Sequence, residues 1–131
     1  MFKTKTFDRW AKRIITDALL CKAAGEIEQG LYEAELGGGV CKKRIALPGK
    51  GKSGSTRTLV AIRHGTALFF IAGRTKSEPG ADFSDREEEA AKLVAGMLHK
   101  LPMQRLDQMV LDGVLKEICN GNSNKESDNA K

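Results

Sequence analysis

The sequence predicts an α+β fold: a small, mainly antiparallel sheet of four or five strands packed against N-terminal helices, with further helices at the C-terminal end. Three observations predict it. Segments 40–47, 56–63 and 67–74 are rich in Val, Ile, Leu, Phe or Thr and follow one another closely. Stretches with three- and four-residue apolar spacing lie on either side of them. The length, 131 residues, suits one core. Residues 1–119 are therefore assigned to one domain and 120–131 to a polar tail.

Taken in order, residues 2–7 (FKTKTF) alternate apolar and polar and read as a short strand. Residues 8–30 read as helix, with Leu19, Ala23 and Ile27 on one face. Thr16 and Asp17 open a second helix as N-cap and first-turn acid. Ile14 and Ile15 fall at the break, and Gly30 closes the helix. Trp10 is expected in the core. Gly37, Gly38 and Gly39 end the helical region. The first two central strands are joined by residues 48–55 (PGKGKSGS), the last two by the tight connection His64-Gly65-Thr66. Short links between adjacent strands make an antiparallel meander. The run Leu68 to Ile71 is apolar on both faces, which predicts a central strand covered by helices. Ser84 to Glu87 form a capping box. It opens a helix to about Lys100 with Ala90, Leu93, Val94, Met97 and Leu101 as the expected buried stripe. Pro102 stops that helix, and another follows over about 103–112. Gly113 ends it, and residues 114–118 make a short edge strand. The tail 120–131 is low in complexity and is expected to be disordered.

Charge is distributed unevenly. Residues 1–35 carry six bases and six acids. Between Glu35 and Glu78 there is no acid, but nine bases: Lys42, Lys43, Arg44, Lys50, Lys52, Arg57, Arg63, Arg74 and Lys76. From Glu78 onward there are seven bases and eleven acids. A segregated basic block points to a polyanion, and nucleic acid is the commonest one. Because the block coincides with the strands, its charge is expected on a folded surface.

Several classes are excluded. Three cysteines, Cys21, Cys41 and Cys119, with no CxxC pair, argue against a disulfide scaffold and a zinc site. Cys21 is expected to be a buried thiol. The N-terminus has no signal core, and no run approaches the roughly 18 apolar residues of a membrane span. A cytoplasmic protein without membrane contact is the expectation. Residues 48–54 do not fit the P-loop order, and no helix follows them. His64 lies in a turn and His99 far from the block, which disfavours a histidine general base. The lack of acids within the block disfavours a two-metal nuclease.

On a strand, alternate residues share a face. Lys42 and Arg44 are thus expected on one face and Lys43 on the other. Arg57 stands near the start of the next strand and Lys76 just past the end of the third. In an antiparallel meander those ends converge. Cations gathered there would hold phosphates and stabilise a phosphorane-like transition state.

The same residues carry a family resemblance. Leu36-Gly37-Gly38-Gly39-Val40, Lys42-Lys43-Arg44, residues 48–54 (PGKGKSG), Arg57-Thr58-Leu59, and Gly73 followed by Lys76-Ser77-Glu78 resemble the RelE/ParE toxin superfamily. The nearer likeness is to its HigB-like branch of type II toxin–antitoxin modules, over about residues 2–118. The resemblance implies two N-terminal helices against a small sheet, and a metal-independent mRNA endonuclease acting on the ribosome without a cofactor. In it the ribose 2′-hydroxyl attacks the adjacent phosphate. It implies catalytic roles for Arg57 and Lys76 at the transition state and leaving group. Lys42 and Arg44 would position RNA and assist proton transfer. Lys43, Lys50, Lys52, Arg63 and Arg74 would contact RNA or ribosome. The implied partners are mRNA, the ribosome and a cognate antitoxin of helix-turn-helix type. Operator DNA would be met only through that antitoxin. This chain departs from the pattern at Cys41, near Thr56 and around Gly73, where relatives often carry aromatics, and no Tyr follows Lys76. Two other readings stay open: a non-catalytic binding relative, and a ParE-like gyrase poison.

Overall fold

The computed structural model describes residues 1–49, 55–63, 67–75 and 82–119. Among these, the chain order is β1 (Phe2–Thr4), α1 (Lys5–Ala11), α2 (Asp17–Glu28), β2 (Ala34–Gly37), β3 (Val40–Ile45), β4 (Thr56–Arg63), β5 (Ala67–Thr75), α3 (Asp85–Lys100), α4 (Met103–Leu111) and β6 (Leu115–Glu117). The strands form one six-stranded sheet in the order β2-β3-β4-β5-β1-β6. All neighbouring pairs are antiparallel except β1 with β5, which is parallel. The α+β architecture and the β3–β4–β5 meander are as the sequence predicts. The sheet has one strand more than the expected upper number.

Local chemistry sets the ends of these elements. The first strand is shorter than expected because Thr4 caps a helix: its hydroxyl accepts the Phe7 N–H at 3.1 Å. Thr16 does the same for α2, accepting from Leu19 N–H at 3.2 Å. Ile14 and Ile15 lie in the break between α1 and α2, as read from the sequence. Ser84 and Glu87 form a reciprocal capping box at the start of α3. The strand β2 has no counterpart in the sequence reading. Its four residues alternate half-buried and exposed, too short a pattern to register as a strand before its partner β3 is known.

The sheet has a core on each face. On one side α1 and α2 bury Phe7, Ala11, Leu20, Ala24 and Ile27 against Cys41, Val60, Leu68 and Phe70. On the other, α3 and α4 bury Ala91, Ala95, Leu98 and Leu106 against Val40, Leu59, Ala61 and Phe69. β5 is central and apolar on both faces, as expected. Trp10 packs on the first core.

Two expectations are corrected. The α3 stripe is rotated in part: Val94 and Leu101 pack on the second core as expected, but Ala90 is exposed, Leu93 and Met97 are 72% and 67% exposed, and Ala91, Ala95 and Leu98 meet the sheet. Small side chains there let the helix approach closely. Lys92 side-chain carbon lies 3.1 Å from where a Cβ on Gly38 would stand, and the His99 ring fills the space beside Gly39. Cys21 is not a thiol: it forms a disulfide with Cys119, 98 residues away. Spacing hid the pair. α2 and Cys119, two residues past β6, meet only because both border the first core, where Ile118 N–H also donates to the Met1 carbonyl at 2.8 Å.

Candidate nucleic-acid interface

The basic residues of the meander separate by strand phase. Val40 points to the α3 side, so Lys42 and Arg44 do too. Residues directly opposed across a ladder share a face, and Lys42 pairs with Leu59 while Arg44 pairs with Arg57. The three cations Lys42, Arg44 and Arg57 are thus brought together on one face, as the sequence predicts. Lys43 points the other way. It is buried against α2, where its ammonium makes an ion pair with Glu26 at 2.9 Å and donates to the Leu31 carbonyl at 2.8 Å.

Arg74 joins the cluster by a route the sequence does not reveal. Counted by alternation from Phe69, it belongs on the α1 side. The β4–β5 register, however, steps from Val60–Phe70 to Leu59–Ala72 and leaves Ile71 without a partner. This bulge reverses the phase. Ile71 and Ala72 both pack toward α3, Gly73 lies under the Trp10 ring on the other face, and Arg74 returns to the α3 face directly opposite Arg57. Arg44, Arg57 and Arg74 therefore form a row across three neighbouring strands, which are spaced by about 4.8 Å. Arg44 is exposed and the other two are half-buried.

Acids reach this face from outside the acid-free block. The Lys42 ammonium sits 2.7 Å from Asp82 and 3.4 Å from Glu88, with its side chain only 15% exposed. Burial opposes its charge, but the bonds from Asp82 and Glu88 outweigh burial and hold its pKa above the ordinary 10.5. A lysine so held is a fixed cation and a poor proton acceptor near neutral pH. Asp82 is the mirror case. Burial pushes its carboxyl up, yet the bonds from Lys42 and from the Phe83 N–H hold it below the ordinary 3.8. Arg74 lies 3.8 Å from Glu87.

The remaining candidates do not gather here. Arg63 stands at the far end of β4, where its guanidinium donates to the Leu98 and Leu101 carbonyls at 3.4 and 2.6 Å. It closes the C-terminus of α3. Lys50, Lys52, Lys76 and the turn residue His64 lie outside the described residues. Lys76 directly follows Thr75, the end of β5, which pairs with Thr56 beside Arg57. Among the described residues no group of three or more His, Cys, Asp or Glu is placed to hold a metal ion. No helix among them is long and apolar enough to cross a membrane.

The family described as "RelE toxin of RelE / RelB toxin-antitoxin system" matches residues 1–118. The chain belongs to the RelE toxin family. No curated protein and no solved structure matches it. Membership gives this RelE-family protein the role of a toxin, and with it a cognate antitoxin as partner. The basic row lies within the matched span, on the face where α3 begins. Its like charges are directly opposed, an arrangement that costs stability in a sheet and that a bound polyanion would relieve.

Proposed function

We propose that this RelE-family toxin, of the HigB-like branch, is a ribosome-dependent mRNA endonuclease that inhibits translation in the cytoplasm. A cognate antitoxin of helix-turn-helix type neutralises it, and that antitoxin alone contacts operator DNA. The observation that carries the reading is the row Arg44–Arg57–Arg74 on one sheet face. Cleavage by the ribose 2′-hydroxyl develops negative charge on the phosphate, and fixed guanidinium groups stabilise it without moving a metal or a cofactor. Arg57 stands in the middle of the row, the position for the scissile phosphate. Lys76 would serve the leaving oxygen, and Lys50 and Lys52 would dock RNA and ribosome. Lys42, held as a cation by Asp82 and Glu88, is a poor acceptor for the 2′-hydroxyl proton and stands beside the row rather than in it.

A purified translation reaction tests this. Wild-type protein should cut translated message, and Arg57→Ala should lower the rate by about 10²–10³-fold, the usual loss of a charge-stabilising donor. Intact message with both proteins would sink the reading. One observation favours a second reading, a toxin relative that binds without cutting. The two phenylalanines of the meander, Phe69 and Phe70, are both fully buried, so among the described strands no ring stacks a base beside the row. That reading expects antitoxin binding without growth arrest.

A further inference from the structure

Arg74 is under-satisfied where it stands. Its Nε is buried and makes no hydrogen bond among the described residues. Its Nη1 lies 3.8 Å from a Glu87 oxygen, and that carboxylate is 45% exposed. So long and wet a contact is weak. Glu87 is also committed elsewhere, because its other oxygen accepts the Ser84 N–H at 2.7 Å in the capping box. A half-satisfied guanidinium facing a carboxylate held by other bonds is set to exchange it for a bidentate oxyanion. Arg57, opposite Arg74, and Arg44, opposite Arg57, extend the same line across the strands.

We propose that Arg74 is a third phosphate ligand in line with Arg44 and Arg57, so that a single RNA strand crosses β3, β4 and β5 at right angles to them. The Glu87 carboxylate holds the place of a phosphate at Arg74 until RNA displaces it. This rests on the endoribonuclease reading and goes past it, naming the path of the backbone and a competitor built into the start of α3. Lys42 is left off the path, since two carboxylates already hold its ammonium.

The test is binding of a labelled single-stranded oligoribonucleotide to the intact protein over a salt series, with message cleavage measured separately. Glu87→Gln removes the charge and keeps the capping box, which glutamine also closes. It should tighten binding about two- to fivefold, the scale of an exposed ion pair. Arg74→Gln should weaken binding about tenfold and lower the slope of log affinity against log salt by about 0.7, one phosphate's share on a single strand. Arg74→Lys should keep the slope and lose affinity, because a point charge replaces a fork. In the double variant the gain from Glu87→Gln should vanish. Unchanged affinity and slope in Arg74→Gln, no tightening in Glu87→Gln, or no binding by wild-type protein would each overturn the proposal. Binding that shifts as stated without any cleavage would refute the nuclease reading alone. Cleavage with binding unmoved by these variants would refute the path alone.

Discussion

Ion pairs on both faces of the sheet, Asp8 with Lys3 and Lys116 at α1 and Asp82 with Lys42 beside α3, also make the fold sensitive to acid. Asp8 bonds Lys3 and Lys116, and those bonds hold its carboxyl below the ordinary 3.8 although burial pushes the other way. Asp82 is lowered too, with burial opposing the bonds from Lys42 and Phe83. A carboxyl depressed in the fold takes its proton more readily when unfolded. The stability it contributes is whole above the unfolded value and is lost as pH falls through the folded one. Unfolding free energy measured by urea should therefore decline as pH drops below about 4, and Asp8→Asn should flatten the decline while costing about 1–3 kcal/mol at neutral pH. A flat profile from pH 6 to 2 would contradict it. The raised lysines Lys3 and Lys42 act at the other end, since their contribution is lost only as pH rises beyond 10.5. Cys41 belongs to the alkaline end as well: burial pushes its thiol up to about 12, so it stays protonated and unreactive near neutral pH, and stability falls as pH rises past the ordinary thiol value of 9.0.

Among the elements, β5 decides the geometry of the interface. Its bulge at Ile71 turns Arg74 toward Arg57 and presents Gly73 to the Trp10 ring, where any Cβ would collide. Gly73→Ala should therefore cost about 1–3 kcal/mol by overpacking and push α1 from the sheet, readable as a lowered melting temperature with altered tryptophan fluorescence. A wild-type melting temperature would show that α1 adapts freely. α3 is placed by small contacts of the same kind. Gly38 and Gly39 take left-handed φ values of 64° and 79°, and the turn they make receives Lys92 and His99. With the helix so seated, its first turns carry Glu87 to Arg74 and Glu88 to Lys42.

Over the whole molecule, the disulfide Cys21–Cys119 ties α2 to the chain just beyond β6, closing a loop that contains nearly every other element. Cross-links over loops of this length restrict the unfolded chain strongly. Reductant, or Cys21→Ala, should lower the unfolding free energy by about 2–4 kcal/mol, seen as a lower urea midpoint than for the oxidised protein. Equal midpoints with and without reductant would show that the cross-link adds nothing. The residue that reaches Cys21 takes φ 61°, a left-handed value rare outside glycine. The bond is thus made at the end of the sheet by a local turn and not along a strand.

Much of this protein was legible from local chemistry. The caps at Thr16 and Ser84, the stop at Pro102, the apolar run of β5 and the acid-free meander each follow from residue type and spacing over a few positions. Those signals also placed Lys42, Arg44 and Arg57 on one face and Lys43 on the other, because alternation holds over short, unbroken strands. Tertiary structure decided the rest. A single extra residue in β5 reversed the phase beyond it, so Arg74 changed face, and only the pairing with β4 reveals the shift. The α3 stripe depended on its alanines meeting the sheet while Lys92 and His99 seat against the glycine turn, which hydropathy does not encode. The disulfide and the carboxylates on Lys42 and Arg74 join residues distant in sequence, and their meeting is a property of packed layers rather than of any segment.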